Sequence, residues 1–456
     1  MIKVLSGIHP SGSYEGQVLI YGRQVAFQSI ADAEAAGIAV IYQELALIGA
    51  MTVAENVFLG VEPQRGALID WHRIYAETRA VLDEYDLALD PTARVADLGI
   101  GQQQLVEIVK ALAKNSKILL LDEPTAALTE AEVERLLQIV RSLRQRGITC
   151  VYISHKLDEV FEIADRVTVL RDGESVCTLS AAETEKDEVI RHMVGREIVD
   201  FYPRQQAVAG EVLLAVENLS VEVEGVEVLR DIDLEVRAGE VLGLGGLMGA
   251  GRSELLLHIL GVYGERSDGA VRINGRPLSG HSPADAIDEG LVLVSEDRKR
   301  YGLLLEKTIG FNLSLSSLEQ FTARGLIDVN REILRNQLFF DSLAIRANGQ
   351  ETLVESLSGG NQQKVVLGKA LMTEPQVILL DEPTRGIDVG AKVEVCELIN
   401  RLTEEGKAVL LVSSELPELM GMSDRMVILS GGRIGGEFAR GDASQEQILA
   451  AAMAHT

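Results

Sequence analysis

At 456 residues, 46% of them apolar and 25% charged, the chain is too long for one compact core and reads as a soluble globular protein with two domains. Its formal charge of −26 excludes binding nucleic acid by neutralising phosphates, which requires clustered Lys and Arg. The scattered thiols Cys150, Cys177 and Cys396 make neither a zinc pair nor a disulfide framework, no apolar run approaches the roughly 18 residues needed to cross a bilayer, and residues 1–10 lack the layout of a signal peptide, so a cytosolic protein that meets any membrane through a partner is expected.

Taken in chain order, the first half shows short apolar runs alternating with helical stretches, the pattern of an α/β domain with a mainly parallel sheet. The runs at 118–121 and 150–153 read as strands and Glu130–Arg144 as a helix. The first run ends in Asp122-Glu123. An aspartate at a buried strand's end can hold Mg2+, and the adjacent glutamate can polarise an attacking water as general base. Near 201–211, Pro203, Gln205, Gln206 and Gly210 interrupt the periodic segments, so domains at 1–200 and 212–456 with a linker at 201–211 are expected.

In the second half, Gly246-Leu247-Met248-Gly249-Ala250-Gly251-Arg252-Ser253 fits the phosphate-loop pattern G-x-x-x-x-G-K-[ST], with Arg252 in place of lysine. Glycines there let backbone N–H groups converge on phosphate oxygens at a helix N-terminus, and the Ser253 hydroxyl is placed to ligate Mg2+. Arginine keeps the charge but is a planar fork rather than a point charge, so nucleotide binding with poor hydrolytic geometry is expected. Further on, Leu357-Ser358-Gly359-Gly360-Asn361-Gln362-Gln363 opens a helical stretch over 361–373, a second anion-binding helix end. A strand then ends in Asp381-Glu382.

These features recur. Asp122-Glu123-Pro124-Thr125 returns as Asp381-Glu382-Pro383-Thr384, Asp165-Arg166 as Asp424-Arg425 and Gly173 as Gly432, each 259 positions on, while Ser6-Gly7-Ile8 falls opposite Leu260-Gly261-Val262. The chain is a duplicated domain. The counterpart of 357–363 is Leu98-Gly99-Ile100-Gly101-Gln102-Gln103-Gln104, where Gly99 replaces the serine and Ile100 a glycine.

The phosphate loop, the Leu357–Gly360 signature and the Asp-Glu strand ends, in this order, resemble the ATP-binding-cassette family over essentially the whole chain. With Gln43-Glu44-Leu45, Glu55-Asn56, Ser154-His155-Lys156-Leu157 and Ser295-Glu296-Asp297-Arg298, the chain looks most like the tandem-cassette subunits of bacterial monosaccharide importers. The resemblance implies two tandem P-loop NTPase domains, each with a mainly parallel sheet, an antiparallel β part and a helical subdomain. It also implies ATP and Mg2+ as ligands, membrane permease subunits as partners with a periplasmic sugar-binding protein reached indirectly, and a place on the cytoplasmic face of the inner membrane. Gln43 matches the glutamine that senses Mg2+, His155 the histidine that contacts the terminal phosphate, and 52–59 the segment that meets the channel.

In that family two cassettes close head to tail, so one site would use Gln43, Asp122, Glu123 and His155 with the intact signature Ser358, Gly359, Gly360, Asn361 and Gln362. The other would use Gly246, Gly249, Gly251, Arg252, Ser253, Asp381 and Glu382 with the altered Gly99, Ile100 and Gly101; there Glu296 stands in the glutamine's place and Ser414 in the histidine's. The first site is expected to hydrolyse ATP and the second to hold it. The sequence contains no first-half counterpart of Val212 to Glu254, and aligning Met1 with Leu255 places the missing loop just upstream; the polypeptide as written is not expected to hydrolyse ATP normally. The stretches 9–16 and 97–104 resemble the D-xylose branch. The rival expectations are a truncated, non-hydrolysing paralogue acting as a nucleotide-binding module, and a non-transport tandem cassette.

Overall fold

The structure is a computed structural model that describes every residue except 43–44, 115, 126–127, 155, 172, 195–201, 206–208, 279–281, 324 and 456. Its chain divides into two compact units, Met1–Gly195 and Arg196–Thr456.

In the first unit, β1 (Ile38–Ile41) leads to a helical region of α1 (Val53–Phe58), α2 (Trp71–Glu84) and α3 (Ile100–Ala113). There follow β2 (Ile118–Asp122), α4 (Glu130–Gln145), β3 (Thr149–Ile153), α5 (Leu157–Ile163) and the antiparallel hairpin β4 (Arg166–Arg171) and β5 (Glu174–Ser180). Strands β1, β2 and β3 pair in parallel in that order. The apolar run at 118–121 is continuous because both of its faces are covered. Leu119 and Leu121 pack with Val106 and Val109 of α3 and Leu136 and Leu143 of α4, whereas Leu120 joins Phe27, Ala33 and Ile38 on the other side.

The second unit begins with β6 (Val212–Val223) and β7 (Val226–Arg237), followed by β8 (Val241–Gly246), α6 (Arg252–Ile259) and β9 (Glu265–Ile273). Strand β6 lies between β7 and β9 in an antiparallel sheet. Next come β10 (Leu291–Val294), α7 (Ile309–Ser314), α8 (Val329–Ser342), α9 (Gly359–Leu371), β11 (Val377–Asp381), α10 (Val389–Glu404), β12 (Ala408–Val412), α11 (Leu416–Met422), β13 (Arg425–Ser430) and β14 (Arg433–Ala439). These build a six-stranded sheet in the order β10-β11-β12-β8-β13-β14, parallel except at β13–β14. Each unit thus has the mainly parallel sheet and the helical region expected, and the antiparallel part is fully formed in the second.

The sheets of the two repeats differ among the described residues. Strand β8 sits between β12 and β13, and every residue of β12 is buried. In the first unit, β3 and the β4–β5 hairpin belong to separate sheets, and β3 is exposed or half-buried along its length. No described residue of that unit takes the place of β8.

Gly243 and Gly245 belong to β8. A Cβ on Gly243 would lie 2.1 Å from the Ser423 hydroxyl, and one on Gly245 would lie 2.7 Å from Leu419, so they let α11 approach the sheet closely. The signature helix starts at Gly359, not 361. Within 201–211, expected as a linker, Arg204 is buried against the second unit, donating to Asp424, Asn400, Thr403 and the Gly239 carbonyl.

Among the described residues, no helix is long and apolar enough to cross a membrane.

Candidate functional site

In the second unit, β8 ends in a turn that feeds α6. Gly246, Gly249 and Gly251 take φ of 146°, 78° and 103°, and a Cβ on Gly246 would lie 2.5 Å from the Leu429 carbonyl oxygen, so this turn requires glycine. It places the unpaired first amides of α6 next to the ends of β11 and β12. Arg252 folds back toward those strand ends: its guanidinium donates to the Ser413 carbonyl at 3.2 Å and lies 3.7 Å from the Glu382 carboxylate.

Asp381 closes the other side. Its Oδ1 is buried without a hydrogen-bond partner, and the Ser253 hydroxyl hydrogen-bonds its carboxylate. Burial pushes the Asp381 pKa up to about 6; the nearby Glu382 charge adds to the rise and the Ser253 hydrogen bond opposes it. An orphaned carboxylate oxygen beside a hydroxyl is a hard-oxygen donor set that fits Mg2+.

The next residue, Glu382, is held in the left-handed region, φ 49°, because its N–H donates to the Val412 carbonyl at 3.0 Å on the neighbouring strand. Ser414, in the histidine's place, donates to Glu382 Oε2 at 3.1 Å. Burial raises the pKa of Glu382, while the Ser414 hydrogen bonds and the Arg252 charge lower it. Its carboxylate is therefore clasped between Ser414 and Arg252. Glu382→Gln removes the charge that holds Arg252 back, so a fluorescent ATP analogue should bind the second unit more tightly, by roughly fivefold, the factor that about 1 kcal/mol makes. Unchanged or weaker binding in equilibrium titration would show that Arg252 is already free to reach phosphate.

The first unit repeats half of this arrangement. Glu123 has φ 45°, and its N–H donates to the Ile153 carbonyl at 2.9 Å. Burial, followed by the Glu123 charge, raises the pKa of Asp122. The expected partners Gln43 and His155 lie outside the described residues. In the second unit, Glu296, in the position of Gln43, is ion-paired with Arg385.

At the intact signature, Ser358 is the exposed cap residue of α9, and its hydroxyl accepts from Asn361 Nδ2 at 3.0 Å. Gly360 must be glycine, since a Cβ would lie 2.6 Å from that of Ala391. Arg298 lies over Gly359 and donates to the carbonyls of Arg385 and Gly386 at 2.9 and 3.1 Å. The expectation that Gln362 touches nucleotide is corrected: its side chain is buried and donates to the Val354 carbonyl at 3.2 Å. Gln103 does the same in the first unit, donating to the Leu98 and Val95 carbonyls. These glutamines fix the turn ahead of the helix.

Sequence reading missed a pair of buried carboxylates. Glu159 accepts from Thr125 and Tyr152, both at 2.7 Å; Glu418 accepts from Thr384 at 3.0 Å and Ser413 at 2.6 Å. Each ties the turn after the Asp-Glu pair to the end of the next strand. The signal was present, because both the threonines and the glutamates recur at the same 259-residue spacing. Asn56 and Asn312 are likewise structural: each bonds both the N–H and the carbonyl of one loop residue, Ile48 and Leu304 respectively. Lys110 and Lys369, on the two signature helices, donate to the carbonyls of Ala46 and Gly302.

Comparison with known proteins bears on these sites. The family pattern described as ABC transporter matches residues 1–126 and 229–385. The chain is 50% identical over 455 residues to the "Xylose import ATP-binding protein XylG" of Moorella thermoacetica, covering 99% of this chain and 90% of that protein. It is 47% identical to the "Ribose import ATP-binding protein RbsA" of Chromobacterium violaceum, over 99% and 89% of the two chains. It is 44% identical to the "L-arabinose transport ATP-binding protein AraG" of Geobacillus stearothermophilus, over 98% and 89%.

Proposed function

The chain belongs to the ABC transporter family, and on that premise we propose that it is the ATP-binding and ATP-hydrolysing subunit of a bacterial monosaccharide importer whose sugar is D-xylose. The observation that carries this reading is the 50% identity, over nearly the whole chain, to a relative named for xylose import. The ribose and arabinose relatives, at 47% and 44%, support a sugar importer and weigh less for their own sugars. The subunit works on the cytoplasmic face of the inner membrane with permease subunits, and a periplasmic binding protein delivers the sugar to them.

Two nucleotide sites are proposed, one in each unit. In the first, Glu123 would orient and deprotonate the attacking water, Asp122 would hold Mg2+, and Gln43 and His155 would face the metal and the terminal phosphate. In the second, the Gly246–Gly251 loop, Arg252, Ser253 and Asp381 would hold nucleotide. Bound Mg2+ supplies charge neutralisation between the phosphates. Arg252, a planar fork where the phosphate-loop pattern has lysine, supports assigning turnover to the first site.

The test is reconstitution with candidate permeases in proteoliposomes, adding binding proteins loaded with xylose, ribose or arabinose. Xylose-loaded protein should stimulate ATP hydrolysis most. Stimulation by another sugar alone would reassign the substrate, and stimulation by none would remove the transport reading.

A further inference from the structure

Glu123 follows the last residue of β2 with φ 45°, a left-handed conformation that persists in a non-glycine residue only where its surroundings over-determine it. Its N–H bond to the Ile153 carbonyl at 2.9 Å fixes one end of the bend. Two residues on, Thr125 is buried, and its hydroxyl donates to Glu159 Oε2 at 2.7 Å. The same oxygen accepts from the hydroxyl of Tyr152, the residue before Ile153, at 2.7 Å, and lies 3.5 Å from the hydroxyl of Ser154, the residue after it. A single buried carboxylate on α5 therefore holds the chain beside the carbonyl that bonds Glu123 and holds the far end of the bend as well. Lys156 closes the arrangement: its ammonium donates to the Thr125 carbonyl at 3.4 Å and stands 3.4 Å from Glu159 Oε1.

We propose that Glu159 is a positioning residue for the first unit's reaction: its carboxylate ties Thr125 to the end of β3 and so aims Glu123 at the attacking water. The inference rests on the reading of Glu123 as the general base. Glu159 acts through that base and not on the nucleotide. A base works only in near-attack geometry, and an ångström of misplacement costs on the order of a hundredfold in rate. The second unit builds the same clamp around Glu382, with Glu418 accepting from Thr384 and Ser413, but its charges differ. Where the first unit has Lys156, the second has Glu415. Burial raises the Glu418 pKa, the hydroxyls of Ser413 and Thr384 oppose the rise, and the Glu415 charge adds to it. The clamp backed by a cation is the one that holds Glu123.

The test varies the clamp and leaves the base in place. In the full chain without nucleotide, amide exchange over 122–125 should quicken by about tenfold in Glu159→Ala, the factor that a lost charged hydrogen bond makes in a local opening. Glu159→Gln keeps an oxygen for both hydroxyls and should exchange near the wild-type rate. ATP hydrolysis by the assembled transporter should fall by about a hundredfold in Glu159→Ala. It should stay within about threefold in Glu159→Gln, which loses only the pairing with the half-exposed Lys156. Thr125→Val, of the same shape without the hydroxyl, should lower turnover in the same direction, and it decides the matter if thermal unfolding shows that Glu159→Ala does not fold. Placed in a Glu123→Gln background, Glu159→Ala should cost nothing further, because a residue that acts through the base then has nothing to aim. A further loss in that background would mark a merely structural role and overturn the proposal. Exchange and turnover unchanged by Glu159→Ala and Thr125→Val would overturn it too. Full turnover in Glu123→Gln, or none in the wild-type assembly, would remove the base reading and this proposal with it, while quickened exchange would still show that Glu159 holds the bend.

Discussion

Glu123→Gln is expected to lower ATP turnover by about a hundredfold or more, the usual scale for loss of a general base, whereas Glu382→Gln should change it by less than about threefold. The two glutamates occupy the same backbone position, with φ of 45° and 49° and an N–H bonded to the last residue of the adjacent strand. Backbone geometry therefore does not separate them. The expectation rests on the loop ahead of Glu382, which ends in Arg252, a planar fork where the phosphate-loop pattern has lysine, and on Ser414, which stands where the first half has His155. The assay is ATP hydrolysis by the assembled transporter. Equal losses in the two variants would defeat the asymmetry.

What could be read in the residues before the structure was the repeat and the main elements set by local order. The strand at 118–122, the helix at 130–145 and the glycine turn at 246–251 follow from apolar runs and glycine spacing, whereas the left-handed bend at Glu123 and Glu382 came only with the structure. The directions of polar side chains could not be read the same way. Gln362 follows the signature glycines and invites a ligand role, yet its amide is turned to the Val354 carbonyl, because a helix face decides where a side chain points. The reason for the small size of Gly243 and Gly245 is a helix distant in sequence, α11.

Arg204→Ala should destabilise the second unit by about 3–5 kcal/mol, the cost of leaving one member of a buried ion pair behind. The Arg204 side chain is fully buried, and Asp424, its partner, is only 14% exposed. The guanidinium also donates to Asn400 at 3.1 Å, Thr403 at 2.7 Å and the Gly239 carbonyl at 3.1 Å, so truncation strands several acceptors at once. The equivalent aspartate in the first unit, Asp165, pairs instead with Arg144 at the surface, where 67% and 58% of the two side chains are exposed, and an ion pair there contributes little. The pair in the second unit has a consequence for the nucleotide site as well. Asp424 Oδ2 accepts from the Val241 N–H at 2.9 Å, the first residue of the strand that delivers the phosphate loop. Without Arg204, the uncompensated carboxylate sits at the base of that strand, and loss of stability should come with weaker binding of a fluorescent ATP analogue. Urea unfolding followed alongside nucleotide titration checks both. A shift below about 1 kcal/mol, the range of an exposed pair, would mean that water reaches Arg204 and that 202–205 is a linker after all.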